Sequence, residues 1–213
     1  MNRFRPLPVA CCLLPVACLL LPPAAAQEKK EIGGTAVKSG VAEADMHKEH
    51  LIHSIERAAS PDEHHKLLEP LVGKWSTQAR QWLGGPKPET TTGHAEVKSL
   101  FGGRFVEEKY DSVIFGKPFQ RQTVMGFDTR TKKFVASSID TWGTWITVEE
   151  GSADATGKVL TLTAQDYDAA TGKTRPIKFV YTIDGNDHHV MRVYETIQGK
   201  ETLTMEVEYK KAK

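Results

Sequence analysis

Residues 99–110 read SLFGGRFVEEKY, placing Gly102 and Gly103 directly before Arg104. Adjacent glycines beside a cation can form an anion nest from backbone N–H groups. A phosphate loop, however, leads from a strand into a helix whose N-terminus helps hold the anion. Here FVEEKYDSVIF follows, which reads as strand. Glycines between two strand patterns mark a bend or bulge. The stretch is therefore expected to be a corner, with Arg104 capping a barrel end or pointing inward as a ligand contact.

Other residues could carry chemistry. Tyr110, Arg121, Asp140, Trp142, Trp145 and Tyr181 lie in or at the ends of strand-like runs, with Met125 and Phe127 among them. Aromatics at a barrel mouth suit apolar or sugar contacts, although packing is the commoner role. Asp140 and Glu195 are candidate buried carboxylates, with nothing to tell a glycosidase pair from two structural acids. Ser137 and Ser138 lie mid-strand, and no G-x-S-x-G nucleophile elbow occurs. His47, His50 and His53 follow at i, i+3 and i+6, which rotates the third away from the first two, so no metal site is expected. His188 and His189 open a late strand, and one must face inward; a turn immediately before them puts them at a rim.

These residues need elements to position them. The first is transient. MNRFRPLP, an apolar run broken by Pro15, and PPAAAQ make a positive, apolar and small-residue sequence typical of an export signal. Ala24 and Ala26 fit the cleavage pattern, so residues 1–26 are expected to be removed and the protein to be periplasmic or secreted. All three cysteines, Cys11, Cys12 and Cys18, go with that segment. The remaining 187 residues have no disulfide, no thiolate nucleophile and no Cys-ligated metal. Losing Arg3 and Arg5 takes the formal charge from +1 to −1. A nearly neutral chain without basic runs is a poor nucleic-acid binder. No membrane span is expected after cleavage.

Residues 27–60 form the next segment. Gln27 to Gly40 is polar with no apolar period and reads as a flexible leader. Ala42 to Ala59 reads as a helix with Met46, Leu51, Ile52 and Ile55 as a modest stripe. Ser60-Pro61-Asp62-Glu63 resembles a capping box opening a second helix, ended by Pro70 and Gly73.

From residue 73 the period changes to two. Leu160, Leu162 and Ala164 share one face; so do Ile177, Phe179, Tyr181 and Ile183, and Leu203, Met205, Val207 and Tyr209. Turn signals separate about ten such runs, with no room for crossover helices. Parallel pairing needs a dozen or more residues per connection, so the sheet is an antiparallel meander. A long meander must deal with its edges, and closure removes them. The fold class is all-β: an up-and-down barrel over residues 61–213, wide enough for an internal cavity.

HKLLEPLVGKWSTQARQW, SLFGGRFVEEKY, GKPFQRQTVMGFDTRTKKFVASSIDTWGT and the closing LTMEVEYKK together resemble a bacterial family of secreted domains of unknown function, family 1579 of that series. The resemblance runs from Pro61 to Lys211. It implies a calycin-like barrel, distantly similar to lipocalins, fatty-acid-binding proteins and nitrobindins. In such barrels the G-x-W formed by Gly73-Lys74-Trp75 packs its tryptophan across the closed end, and His65 of the HKLL stretch is expected to bond a rim carbonyl. The family supplies no catalytic residues and no cofactor.

The resulting expectation is an exported barrel, a binding protein rather than an enzyme, holding a small apolar or amphipathic ligand. Its tentative contacts are Arg104, Tyr110, Arg121, Asp140, Trp142, Trp145 and Tyr181. The rivals are a nitrobindin-like binder of haem or nitric oxide, which would use His189, and an enzyme using polar cavity groups.

Overall fold

A computed structural model describes residues 36–82, 85–169 and 171–213, with side chains described from Asp45 onward except in those gaps. The expected signal segment and the leader up to residue 35 lie outside the described residues. The chain divides after Lys48, and the unit from Glu49 to Lys213 contains the whole barrel.

Helix α1 runs Ala36–Ala59, starting six residues before the expected Ala42. A stripe marks a face that packs, whereas backbone helicity needs only tolerable propensity. In the second unit the stripe residues Leu51, Ile52 and Ile55 are exposed.

The next turn departs from the capping box. Ser60 Oγ donates back to Glu56 O at 2.7 Å, closing α1. Asp62 folds the turn before the next helix instead: its Oδ1 accepts from the His64 backbone N–H at 3.0 Å, and His65 Nδ1 lies 3.0 Å from the same oxygen. His65 therefore bonds Asp62 and not a rim carbonyl. The following element is a short 3-10 helix, His65–Leu71, that contains Pro70. Proline lacks the N–H that a longer α-helix would need here.

Ten strands follow: β1 Gly73–Gln81, β2 Glu89–Leu100, β3 Phe105–Ile114, β4 Lys117–Asp128, β5 Lys133–Asp140, β6 Thr147–Ala153, β7 Val159–Asp168, β8 Lys173–Ile183, β9 His188–Ile197 and β10 Lys200–Lys211. Each pairs antiparallel with its sequence neighbour, and β1 pairs with β10. The barrel is closed, as alternation and short turns require. Leu160, Leu162, Phe179, Tyr181, Val207 and Tyr209 all point inward and are buried.

One strand breaks its alternation. Leu203 pairs with Tyr194, but Met205 pairs with Val193, so a bulge sits between them. Tyr194 and Val193 face opposite sides of the wall, so Leu203 leaves the inner face that simple alternation assigns it.

The 3-10 helix and Trp75 plug one end. Leu68 and Leu71 are buried there, and Trp75 is 1 % exposed. Trp75 Nε1 donates to Leu71 O at 2.8 Å, satisfying the one polar atom of a large apolar ring. Its ring meets His189 edge-on at 4.5 Å, and Lys211 Nζ lies 4.4 Å above it. The GGR corner belongs to this same closed end. Gly102 and Gly103 have φ of +68° and +86°, the left-handed region that glycine enters without steric cost. The opposite end carries the β1–β2, β3–β4, β5–β6, β7–β8 and β9–β10 connections and is open.

Candidate functional site

Below the open rim lies a chamber of about 600 Å³. Its walls come from the inward faces of several strands. Phe119 of β4, Ile177 and Phe179 of β8, and Val193 of β9 supply apolar surface. Trp142 and Trp145, in the β5–β6 loop, and Phe115, in the β3–β4 loop, form the rim. Phe115 and Trp142 stack with ring centres 5.0 Å apart, and Trp145 meets Tyr167 edge-on at 5.1 Å.

The chamber floor carries a buried ion pair. Arg121 follows Phe119 by two residues on β4, so it also faces inward. Its Nη2 donates to Glu149 Oε1 at 2.5 Å and to Ser138 Oγ at 2.7 Å. Ser138 Oγ donates to the same Glu149 oxygen at 2.6 Å. The guanidinium also sits 5.0 Å over the Phe179 ring. Burial works against the Arg121 charge, but Glu149 and the neighbouring Tyr181 outweigh it and raise its pKa. Ser138 is thus tied to an acid and an arginine, without the histidine that a serine–histidine–acid triad would place beside it.

A second ion network stands at the mouth. Arg175 Nη2 lies 2.9 Å from Glu195 Oε2, and its Nη1 lies 3.8 Å from Asp168 Oδ2. Thr204, turned in by the β10 bulge, donates to Glu195 Oε1 at 3.1 Å. Asp140 Oδ1 accepts the Trp142 backbone N–H at 2.8 Å and fixes the start of the tryptophan loop.

Gln81 differs from these groups. It closes β1 on the chamber wall and is 3 % exposed. Neither its Nε2 nor its Oε1 meets a partner among the described residues. An unmatched buried amide is expensive, which is why such groups normally find partners.

Of the seven sequence candidates, Arg121, Asp140, Trp142 and Trp145 line this chamber. Tyr110 stands behind Phe119, 6.2 Å between ring centres, with its hydroxyl near those of Ser112 and Thr77 yet completing no hydrogen bond of good geometry. Tyr181 faces a separate inner void of about 20 Å³, shared with Glu108, Thr123 and His189. Arg104 is at the other end of the barrel. Its Nε donates to Ala59 O and its Nη1 to Phe101 O, each at 2.6 Å, so it ties the end of α1 to the GGR corner.

No histidine lines the chamber. His189 faces inward at the closed end, stacked on Tyr209 at 4.2 Å. Burial pulls its pKa down to about 3, with His188 and Lys211 adding to the effect. His188 faces outward, 3.2 Å from Glu208 Oε1. The inner void also holds Glu108, whose carboxyl burial pushes up despite the Arg121 charge and a hydrogen bond from Tyr209. No helix among the described residues is long and apolar enough to cross a membrane.

Gln81, Glu149 and Arg175 were absent from the sequence candidates. A signal existed for Gln81, since Trp75, Thr77, Ala79 and Gln81 alternate on one face. Glu149 offered none, because Val148 beside it is exposed and the acid is buried, the reverse of the usual order.

A family model described as a protein of unknown function, DUF1579, matches residues 60–211. Among curated proteins, none matches the chain. Among solved structures, the chain is similar to Rv2717c from M. tuberculosis, at 17 % identity and a TM-score of 0.55. The match covers 72 % of this chain and all of that one, and at such identity it speaks for the fold alone.

Proposed function

The chain belongs to the DUF1579 family, whose function is unknown, and we propose that it binds a small amphipathic molecule in the open-end chamber. A volume of about 600 Å³ falls within the usual range of small-molecule sites. The ligand's apolar body rests on Phe119, Ile177, Phe179 and Val193. Its polar end, a hydroxyl or amide able both to donate and to accept, meets Gln81.

The observation that carries this reading is Gln81 itself, buried on the chamber wall with both amide atoms unmatched. Arg175 supports it, since its Nε also meets no partner among the described residues. Arg121 belongs to the floor rather than to the ligand contacts, because Glu149 and Ser138 already occupy it. Residues 1–26 are read as an export signal, which a mature N-terminus at Gln27 on the exported protein would support.

The test has two arms. Protein purified without organic solvent is sprayed natively, and its mass is compared with that of the denatured chain. Separately, a dansylated amphiphile is titrated in, with Trp142 and Trp145 as energy donors. Saturable transfer that is weakened in Gln81→Leu is expected. Transfer that is unsaturable, or unchanged in that variant, overturns the reading.

A further inference from the structure

The inner face of the chamber is unbalanced in charge. Four carboxylates line it, Asp140, Asp166, Asp168 and Glu195, against two guanidinium groups, Arg121 and Arg175. Glu149 already neutralises Arg121. Arg175 is shared between Glu195, at 2.9 Å, and Asp168, at 3.8 Å. Asp166 continues the inward face of β7, is half-buried, and joins no ion pair among the described residues.

The lysines of the open rim stand outside this lining. Lys178 points outward and pairs with Glu201, and Lys87, Lys117, Lys173 and Lys200 are exposed. Charges standing in water are screened over about 10 Å. Half-buried carboxylates act through a lower dielectric and are felt more strongly inside the chamber. Aromatic rings share the site: Phe115, Phe119, Trp142, Trp145 and Tyr167 line it with the acids. A ring face attracts a cation, and the chamber already holds one such contact, the Arg121 guanidinium over Phe179.

Carboxylates alone would name no ligand. Gln81 points to one independently, since it is 3 % exposed on the chamber wall and neither amide atom meets a partner among the described residues. An anionic amphiphile would meet the surplus of acids, and a neutral one would leave it uncompensated. Resting on the reading of the chamber as a small-molecule site, we propose that its ligand is an organic cation. The ligand's ammonium group sits among Asp166, Glu195 and the mouth aromatics, and its hydroxyl or amide meets Gln81.

Three dansylamide probes of one alkyl-chain length, ending in an ammonium, a hydroxyl and a carboxylate group, are titrated into the purified protein, with tryptophan-to-dansyl transfer as the readout. The ammonium probe should bind about tenfold more tightly than the hydroxyl probe, and the carboxylate probe should bind least well. Asp166→Asn should weaken binding of the ammonium probe by about threefold or more and leave the hydroxyl probe unchanged. Glu69→Gln, at an exposed position of the 3-10 helix at the closed end, also removes one negative charge and should change none of the three. Saturable binding of all three probes with equal affinity overturns the cation preference and leaves the chamber reading standing. So does an ammonium preference that Asp166→Asn does not reduce. Saturable binding of none of them overturns both.

Discussion

Arg121 and Glu149 form a salt bridge in the barrel interior, 13 % and 0 % exposed at the side chain and joined through a 2.5 Å contact. They come from β4 and β6, with Ser138 of β5 between them closing the triangle. Three consecutive strands are thus tied across the wall they share. A buried pair of this kind gains little over apolar packing, but breaking it is severe, since one charge is left without water or partner. Glu149→Leu should therefore lower unfolding stability by about 3–5 kcal/mol. Arg121→Met combined with Glu149→Leu should recover much of that loss. Urea denaturation of both single variants and the double variant measures it, and additive losses would show that the two residues are not coupled.

His189 gives stability an acid-side slope. Its folded pKa is about 3, below an ordinary value of 6.5, because burial disfavours the imidazolium. Below pH 6.5 the unfolded chain takes up a proton that the folded chain refuses. Its contribution is thus intact above 6.5 and is lost progressively as pH falls toward 3, by about 3 kcal/mol between pH 6.5 and 4. His189→Phe keeps a ring against Tyr209 and should flatten that slope. A variant with the same slope as the parent would place the acid sensitivity elsewhere.

Glu108 acts with the opposite sign. Burial raises its folded pKa above the ordinary 4.5. The folded state therefore favours the protonated form, and stability present below pH 4.5 is lost as pH rises through the folded value. Glu108→Gln retains an acceptor for Tyr209 and removes the charge. Its urea midpoint should exceed the parent's at pH 7 and approach it at pH 4. The reverse order would mean that the carboxylate is stabilised inside the barrel.

The strands and the barrel were legible because alternation is a local property. Leu160, Leu162 and Ala164 needed no knowledge of their neighbours. The two tryptophans at the mouth followed from a strand end and a glycine. Other features depended on contacts distant in sequence. Glu149 becomes intelligible only when Ala136 is found opposite it and Arg121 one strand beyond. The bulge at Leu203 depends on its pairing with β9, which no run of side chains encodes. Ser60 looked like a cap, but a serine after a helix can bond backward as readily as forward, and here Glu56 O was within reach.

The tryptophans should separate cleanly. Trp75 is a wedge in the closed end, hydrogen-bonded to Leu71 O, and Trp75→Ala should cost about 3–5 kcal/mol. Trp142 is 43 % exposed on the rim, and Trp142→Ala should change stability by well under 1 kcal/mol while weakening amphiphile binding. Thermal unfolding and the dansyl titration, run on both variants, check the contrast. A large stability loss from Trp142→Ala would make the rim a structural element rather than a contact surface.

Gln81 offers the sharpest test, because stability and binding should move in opposite directions. With both amide atoms unmatched, the side chain is a burden on the unliganded barrel. Leucine has a similar volume and no polar atoms, so Gln81→Leu should stabilise the ligand-free protein by about 1–3 kcal/mol. The same change removes the hydrogen bonds that orient the ligand's polar end, so affinity for a hydroxyl- or amide-bearing amphiphile should fall, by about tenfold for each lost bond. A purely hydrocarbon probe should lose nothing. Unfolding midpoints with and without ligand measure both effects on one sample. If Gln81→Leu destabilises the free protein, the amide is serving the fold, and the chamber's polar contact must be sought in Arg175.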